Sequence, residues 1–211
     1  MTFRPILFSA PMVRAILEGR KTQTRRVMKP QPTAELLREY ARISQKHGVK
    51  TTPEQFAASC IVSPYGQPGD RLWVREKWQI HRLDGVAGHK EFPNLLYAAD
   101  QSTRLLIDKC VWKYVREKPA WRPSIHMPRW ASRITLEIIG IRVERLQDIS
   151  ESDAIAEGIH EDIGGKYQKA MGNGPYCDFA RQAYQFLWED INGAESWATN
   201  PWVWVIESKR I

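Results

Sequence analysis

Apolar positions recur along this chain in two periods, and the changes between them mark out its elements. Period two governs residues 132–143. Ile134, Leu136 and Ile138 share one face there and Arg133, Thr135 and Glu137 the other, which predicts a strand with Gly140 placed for a bulge. Residues 71–80 alternate in the same way, with Leu72, Val74, Trp78 and Ile80 on one side, and predict a second long strand after the turn cluster at 64–70. Residues 21–27 and 202–206 read as two further strands.

The helical period appears first in Met12, Val13, Ile16 and Leu17, with Ser9 as cap, Pro11 in the first turn and Gly19 as the stop. It returns over 33–45 (Leu36, Leu37, Tyr40, Ile43). A third helix runs over 151–157, where Ser150 with Asp153 forms a capping-box variant and Gly158 ends the turn. Phe179, Ala183, Phe186, Leu187 and Ile191 set the last helical stripe. The glycine-bearing stretches 81–94 and 163–175 read as loops, and 118–130, with Pro119, Pro123 and Pro128, as an extended surface segment. With hairpin-like strands and no internal repeat or linker tract, residues 1–211 are expected to form one α+β domain. It is built around a small, mostly antiparallel β-barrel with flanking helices.

Composition supports one core. For 211 residues with 43% hydrophobic side chains, surface scaling allows about 70% of the unfolded surface to be buried in a single unit. The longest uncharged apolar runs, at 5–13 and 203–206, fall well short of a bilayer span, and no secretion signal opens the chain, so a cytoplasmic location is expected. Cys60, Cys110 and Cys177 are widely spaced without a CxxC pair. They are read as buried thiols, with no disulfide framework and no thiolate zinc site.

Charge adds a direction. The net charge is +7, and it is polarised. Residues 1–33 hold seven basic groups against Glu18 alone, residues 101–145 hold ten against four, and residues 146–200 hold three against ten acidic ones. Such a basic excess favours polyanionic partners. Nine tryptophans are present; most sit in strand-like alternations as core residues, leaving at most two or three to line a base-binding cleft.

The chemistry concentrates at Gly19-Arg20-Lys21-Thr22-Gln23-Thr24-Arg25-Arg26. A bend between helix and strand lets Lys21 and Thr24 converge. A lysine drawn into a partly closed cleft beside other cations loses affinity for its proton, and so becomes a base toward the Thr24 hydroxyl. The plainer reading of the same residues is a phosphate-binding lysine and a threonine that prefers strands. His126, between prolines in a basic aromatic segment, is a candidate to stack on a base, and Arg71 and Arg75 share a strand face that extends the basic region. His160 and Glu161 follow Glu157, but Gly158 breaks the helix before the three can form a metal-binding face, so neither metal nor cofactor is expected.

Four pieces in order carry a family resemblance: Gly19-x-Lys21-Thr22-x-Thr24-x-Arg26 after a helix, Gly69-Asp70-x-Leu72-Trp73-Val74 entering a strand, Ala154-x-Ala156-Glu157-Gly158, and the terminal Trp204-Val205-Ile206-Glu207. Together they resemble the ASCH family, a branch of the PUA-like β-barrels. The segment 121–133 makes the chain look most like the phage and prophage members. The resemblance implies a cleft for RNA or a modified base. Small relatives are N4-acetylcytidine amidohydrolases, whose lysine, threonine and glutamate correspond to Lys21, Thr24 and Glu157 here. On that basis Thr24 attacks, Lys21 takes its proton and Glu157 positions Lys21 or delivers a proton to the leaving amine. Arg20, Arg25, Arg26, Arg75, His126 and Arg129 are the candidate nucleic-acid contacts. Residues 27–64 and 79–130 are insertions relative to the compact relatives. The expected partner is RNA, another nucleic acid or a modified nucleoside. A non-catalytic nucleic-acid-binding module, a ribonuclease, and a phage adaptor or inhibitor gripping a host protein are the alternatives.

Overall fold

The alternation at 132–143 becomes β6 (Thr135–Arg145), which pairs antiparallel along its length with the terminal strand β9 (Trp202–Arg210). Ile134, Leu136 and Ile138 are buried, and the register shifts between Ile138 and Gly140, where the bulge was expected. A Cβ at Gly140 would lie 2.9 Å from Glu207 Oε2, so the bulge position is held open for that carboxylate. Trp202 to Ile206 of β9 are buried on both faces, the pattern of a central strand covered on each side. The coordinates are a computed structural model that describes residues 1–36, 38, 39, 42, 62–81, 94–100, 120–162, 164–168 and 175–211.

Five strands form the main sheet. In addition to β6 and β9 it contains β1 (Phe3–Leu7), β2 (Gln23–Val27) and β3 (Arg71–Arg75), in the order β1-β3-β6-β9-β2. Only the β1–β3 pair among these is parallel. The chain is thus α+β with a mostly antiparallel sheet, as expected, but no strand pairing among the described residues closes a barrel. β1 and β2 remain edges, linked in sequence by helix α1 (Ala10–Leu17). The Arg26 guanidinium on β2 nevertheless donates to the Leu7 carbonyl on β1. The sheet is therefore curled until its edges stand one arginine side chain apart.

The expected long strand at 71–80 is two strands. β3 ends at Arg75, and β4 (Trp78–His81) pairs with β5 (Asn94–Tyr97) in a separate ribbon. The break falls at Glu76, whose carboxylate lies in the interior and takes Arg133 Nε at 3.0 Å and Nη2 at 3.2 Å. Its amide faces Met127 Sδ at 3.4 Å instead of a neighbouring strand. The segment expected to be extended carries two 3-10 turns, Ser124–His126 and Arg129–Ala131, each preceded by a proline that pre-sets the backbone. Between them Met127 is wholly buried and packs with Trp78 and Ala131 in a small core of its own.

Helix α2 (Glu151–Ala156) starts where predicted, with the Ser150 hydroxyl accepting the Asp153 amide at 3.1 Å, and stops at Gly158, whose φ is +96°. Helix α3 (Ala180–Asn192) buries Ala180, Ala183, Tyr184, Leu187 and Trp188. Phe179 and Ile191, expected on that face, are exposed: Phe179 precedes the first helical turn, and Ile191 lies past the core on the last one. α2 and α3 are locked by Glu151, whose carboxylate accepts the Ala180 amide at 2.6 Å at the start of α3.

Six tryptophans (73, 78, 188, 197, 202 and 204) are buried, while Trp130 is exposed. Cys177 is a buried free thiol; Cys60 and Cys110 lie outside the described residues. Of the helix expected at 33–45, positions 34–36, 38, 39 and 42 are helical and the others lie outside, as do most of 81–94 and 163–175. No helix among the described residues is long and apolar enough to cross a membrane.

Candidate active site

The site begins where two helices end. α1 finishes at Leu17, Gly19 turns the chain with φ +76°, and the next residues are tied to both helices. Lys21 N–H donates to Ala15 O at 3.0 Å, and Thr22 N–H to Ala156 O at 2.9 Å. Glu157 is the C-cap of α2, and Gly158 lets the two segments touch, since a Cβ there would sit 3.2 Å from Ala15 Cβ and 3.3 Å from Lys21 Cβ. The sequence from Lys21 to Glu157 is long, but the junction is short and rigid.

Across that junction the Lys21 ammonium spends all three protons. It donates to Glu157 Oε2 at 2.7 Å, to Glu157 O at 2.8 Å and to Gln23 O at 2.7 Å. Both side chains of the ion pair are 4% exposed. Burial pushes the lysine pKa below its ordinary range; Glu157 pulls it up, Arg26 and Arg25 push it down, and the net displacement is downward.

Arg25 is the scaffold beneath. Its guanidinium bonds Gln23 Oε1 at 2.6 Å, Glu144 and Asp153 at 3.0 Å each, and Glu157 Oε1 at 3.4 Å, and its side chain has no exposed surface. Burial acts to raise the Asp153 pKa, but the Gln23 bond and the charges of Arg25 and Arg142 outweigh it and hold the carboxyl below its usual range. Arg25, expected to meet phosphate, is therefore a correction. It is consumed by three carboxylates and fixes the Glu157 carboxylate in place.

Lys21, Thr24 and Glu157 line one cleft of about 170 Å³ at the open seam of the sheet, between the β1–α1 side (Leu7, Phe8, Met12) and α3 (Tyr184, Leu187, Trp188). The Thr24 hydroxyl makes no hydrogen bond to any described residue. Arg26 enters the same cleft, its guanidinium 5.5 Å from the Phe8 ring centre, with no carboxylate partner among the described residues.

Tyr184 and Trp188 were not singled out in the sequence, because residues four apart on a buried helical face read simply as core. Burial and the Glu157 charge raise the Tyr184 pKa well above the ordinary phenol value, so its hydroxyl stays a neutral donor. Trp188 Nε1 is buried without a hydrogen-bond partner among the described residues.

The other expected contacts lie elsewhere. Arg20 pairs with Glu18 and reaches Gly158 O at 3.3 Å, outside the cleft wall. Arg75, His126 and Arg129 do not line the cleft either: Arg75 and Arg129 lie against β1, β3 and β6, and His126 is exposed in the first 3-10 turn. His160 and Glu161 form a two-residue strand, apart from Glu157, and among the described residues no three His, Cys, Asp or Glu side chains are placed to hold a metal ion. Compared with known protein families, with curated proteins and with solved structures, the chain matches none of them.

Proposed function

We propose that the chain is an ASCH-type, PUA-like protein whose cleft receives a nucleobase and hydrolyses an N4-acylcytidine-type amide. The observation that carries this reading is the buried Lys21–Glu157 pair, lining one cleft with the unbonded Thr24 hydroxyl. The curled sheet, open only at the seam between β1 and β2, is what a small barrel with a lateral cleft requires. A cleft of about 170 Å³ suits a single six-membered ring with a small substituent, since an apolar cavity of about 150 Å³ takes benzene. The sugar then stays outside.

In this mechanism the Thr24 oxygen attacks the acyl carbonyl while the neutral form of Lys21 accepts the hydroxyl proton. Negative charge develops on the carbonyl oxygen, where the Tyr184 hydroxyl and the Arg26 guanidinium are the available donors. The C–N bond breaks, the Lys21 ammonium returns the proton to the leaving amine, and water hydrolyses the threonyl ester to release the acid. Glu157 holds the lysine nitrogen throughout and is a positioning residue.

A second reading is a non-catalytic nucleic-acid-binding module. The three satisfied bonds of the Lys21 ammonium favour it, because a protonated, fully paired lysine holds the cleft open without acting as a base. Incubation with N4-acetylcytidine and related N4-acylated cytidines, followed by chromatography for free cytidine, separates the two. Turnover lost in Thr24→Ala and Lys21→Arg supports hydrolysis; no product at enzyme excess removes it.

A further inference from the structure

Three arginines on and beside the β1–β3 pair contrast with those that the carboxylates hold. Arg25, Arg133 and Arg142 each hold at least two carboxylates. Among the described residues Arg71, Arg75 and Arg129 hold none and lie against aromatic rings instead. Arg71 and Arg129 each place the guanidinium carbon 5.6 Å from the centre of the Phe3 ring, and Arg75 lies 4.8 Å from that of Trp73. Their hydrogen bonding inside the protein is sparse. Arg71 makes no side-chain hydrogen bond to any described residue, and its Nε is buried without a partner among them. Arg75 uses Nε alone, to Met127 O at 3.0 Å, and Arg129 reaches Thr135 Oγ1 at 3.4 Å. Glu137 faces Arg71 across the register but turns to Lys209 at 3.4 Å.

A guanidinium stacked on a ring keeps its in-plane N–H donors free for phosphate oxygens. The three form a line that ends at the site. In the parallel register Phe3 pairs with Arg71 and Leu7 with Arg75, a run of about 13 Å along the strands. Leu7, 40% exposed, is also a wall of the cleft and gives its carbonyl to Arg26. At the far end Phe3 is 49% exposed beside the Arg71 and Arg129 cations, and the exposed part of its ring is a surface on which a base can stack.

We infer that this β1–β3 face carries the phosphates of a single-stranded nucleic acid and delivers one of its bases to the cleft. The target is then a base within a strand. The strand is single because a paired base cannot reach a cleft until it leaves the duplex. The inference rests on the base-binding reading of the cleft, yet has its own test.

Fluorescence anisotropy with a short labelled oligocytidylate, titrated at several salt concentrations, reads the face directly. The variant combining Arg71→Ala, Arg75→Ala and Arg129→Ala is expected to lose about tenfold or more in affinity. Its log–log salt slope is expected to fall by about 2, from three lost phosphate contacts on a single strand. The triple Arg→Lys variant, which keeps the charge, reports on folding and restores part of the affinity. Unchanged oligonucleotide binding in the alanine variant, tighter binding of a duplex than of the single strand, or equal competition by polyglutamate would each overturn the inference. Strand binding lost in the alanine variant, with no deacylation of strand-borne or free N4-acetylcytidine by any form, would keep the face as a strand-binding surface and remove the hydrolase reading.

Discussion

Lys21 Nζ stands 2.7 Å from Glu157 Oε2, although 136 positions separate the two residues in the chain. The contact exists because α1 and α2 end side by side, and Gly158, having no Cβ, allows their C-terminal turns to meet. Two buried charges are held together by that one close approach.

Removing one partner of the pair tests its structural weight. Glu157→Ala leaves both Lys21 and Arg25 short of a carboxylate in a buried site, which costs about 3–5 kcal/mol. For a chain of this size about 2–4 °C of melting temperature is lost per kcal/mol, so thermal denaturation should show a fall on the order of 10 °C. A variant that melts within a degree or two of the wild type would mean that the pair is solvated.

Gly158→Ala probes the junction without touching a charge. The left-handed conformation costs a side chain about 1–2 kcal/mol, and the new Cβ must also displace Ala15 or Lys21. A drop of several degrees in melting temperature is expected; if the proposed hydrolysis holds, deacylation falls by a larger proportion because the lysine is moved.

The pH dependence has a definite sign. If Lys21 is the base, its neutral form is the active one. kcat/KM should then rise with pH through a group titrating below the ordinary lysine range. The same downward shift means that, between the native and unfolded lysine pKa values, the unfolded chain binds more protons. The Lys21 contribution to stability therefore increases with pH across that window. A pH–rate profile without the basic limb would assign proton transfer to another group.

Tyr184→Phe removes a neutral donor from the cleft wall while keeping the ring that packs against Trp188 and Trp197. Loss of an oxyanion donor lowers kcat by about 10²–10³ with little change in KM. Steady-state kinetics on an N4-acylcytidine would read this split; a change confined to KM would make Tyr184 a contact to bound substrate alone.

Much of the fold was readable because local rules acted alone. The Ser150 cap and the stop at Gly158 each depend on neighbours a few residues away and stand where the pattern placed them; the bulge at Gly140 does too, although Glu207 from the paired strand takes the room it leaves. The strand at 71–80 misled because alternation continues through Glu76. Position 76 falls in phase with Leu72, Val74, Trp78 and Ile80, so the period does not register the break that the buried carboxylate makes there in pairing with Arg133, 57 residues later. The α3 stripe misled for a similar reason: Ile191 is apolar and in phase, but the core ends before it.

Sequence by itself determined the residue types of the site, its helix-to-strand setting and the mostly antiparallel α+β class, since these follow from periodicity, caps and turn chemistry within short windows. Tertiary structure alone decided which arginines remain free. Arg25 and Arg26 are adjacent in the chain, yet a strand sends successive side chains to opposite faces; Arg25 meets Glu144, Asp153 and Glu157, and Arg26 reaches the cleft. Partners brought from more than a hundred residues away assign one cation to the scaffold and leave its neighbour at the cleft with no carboxylate partner among the described residues.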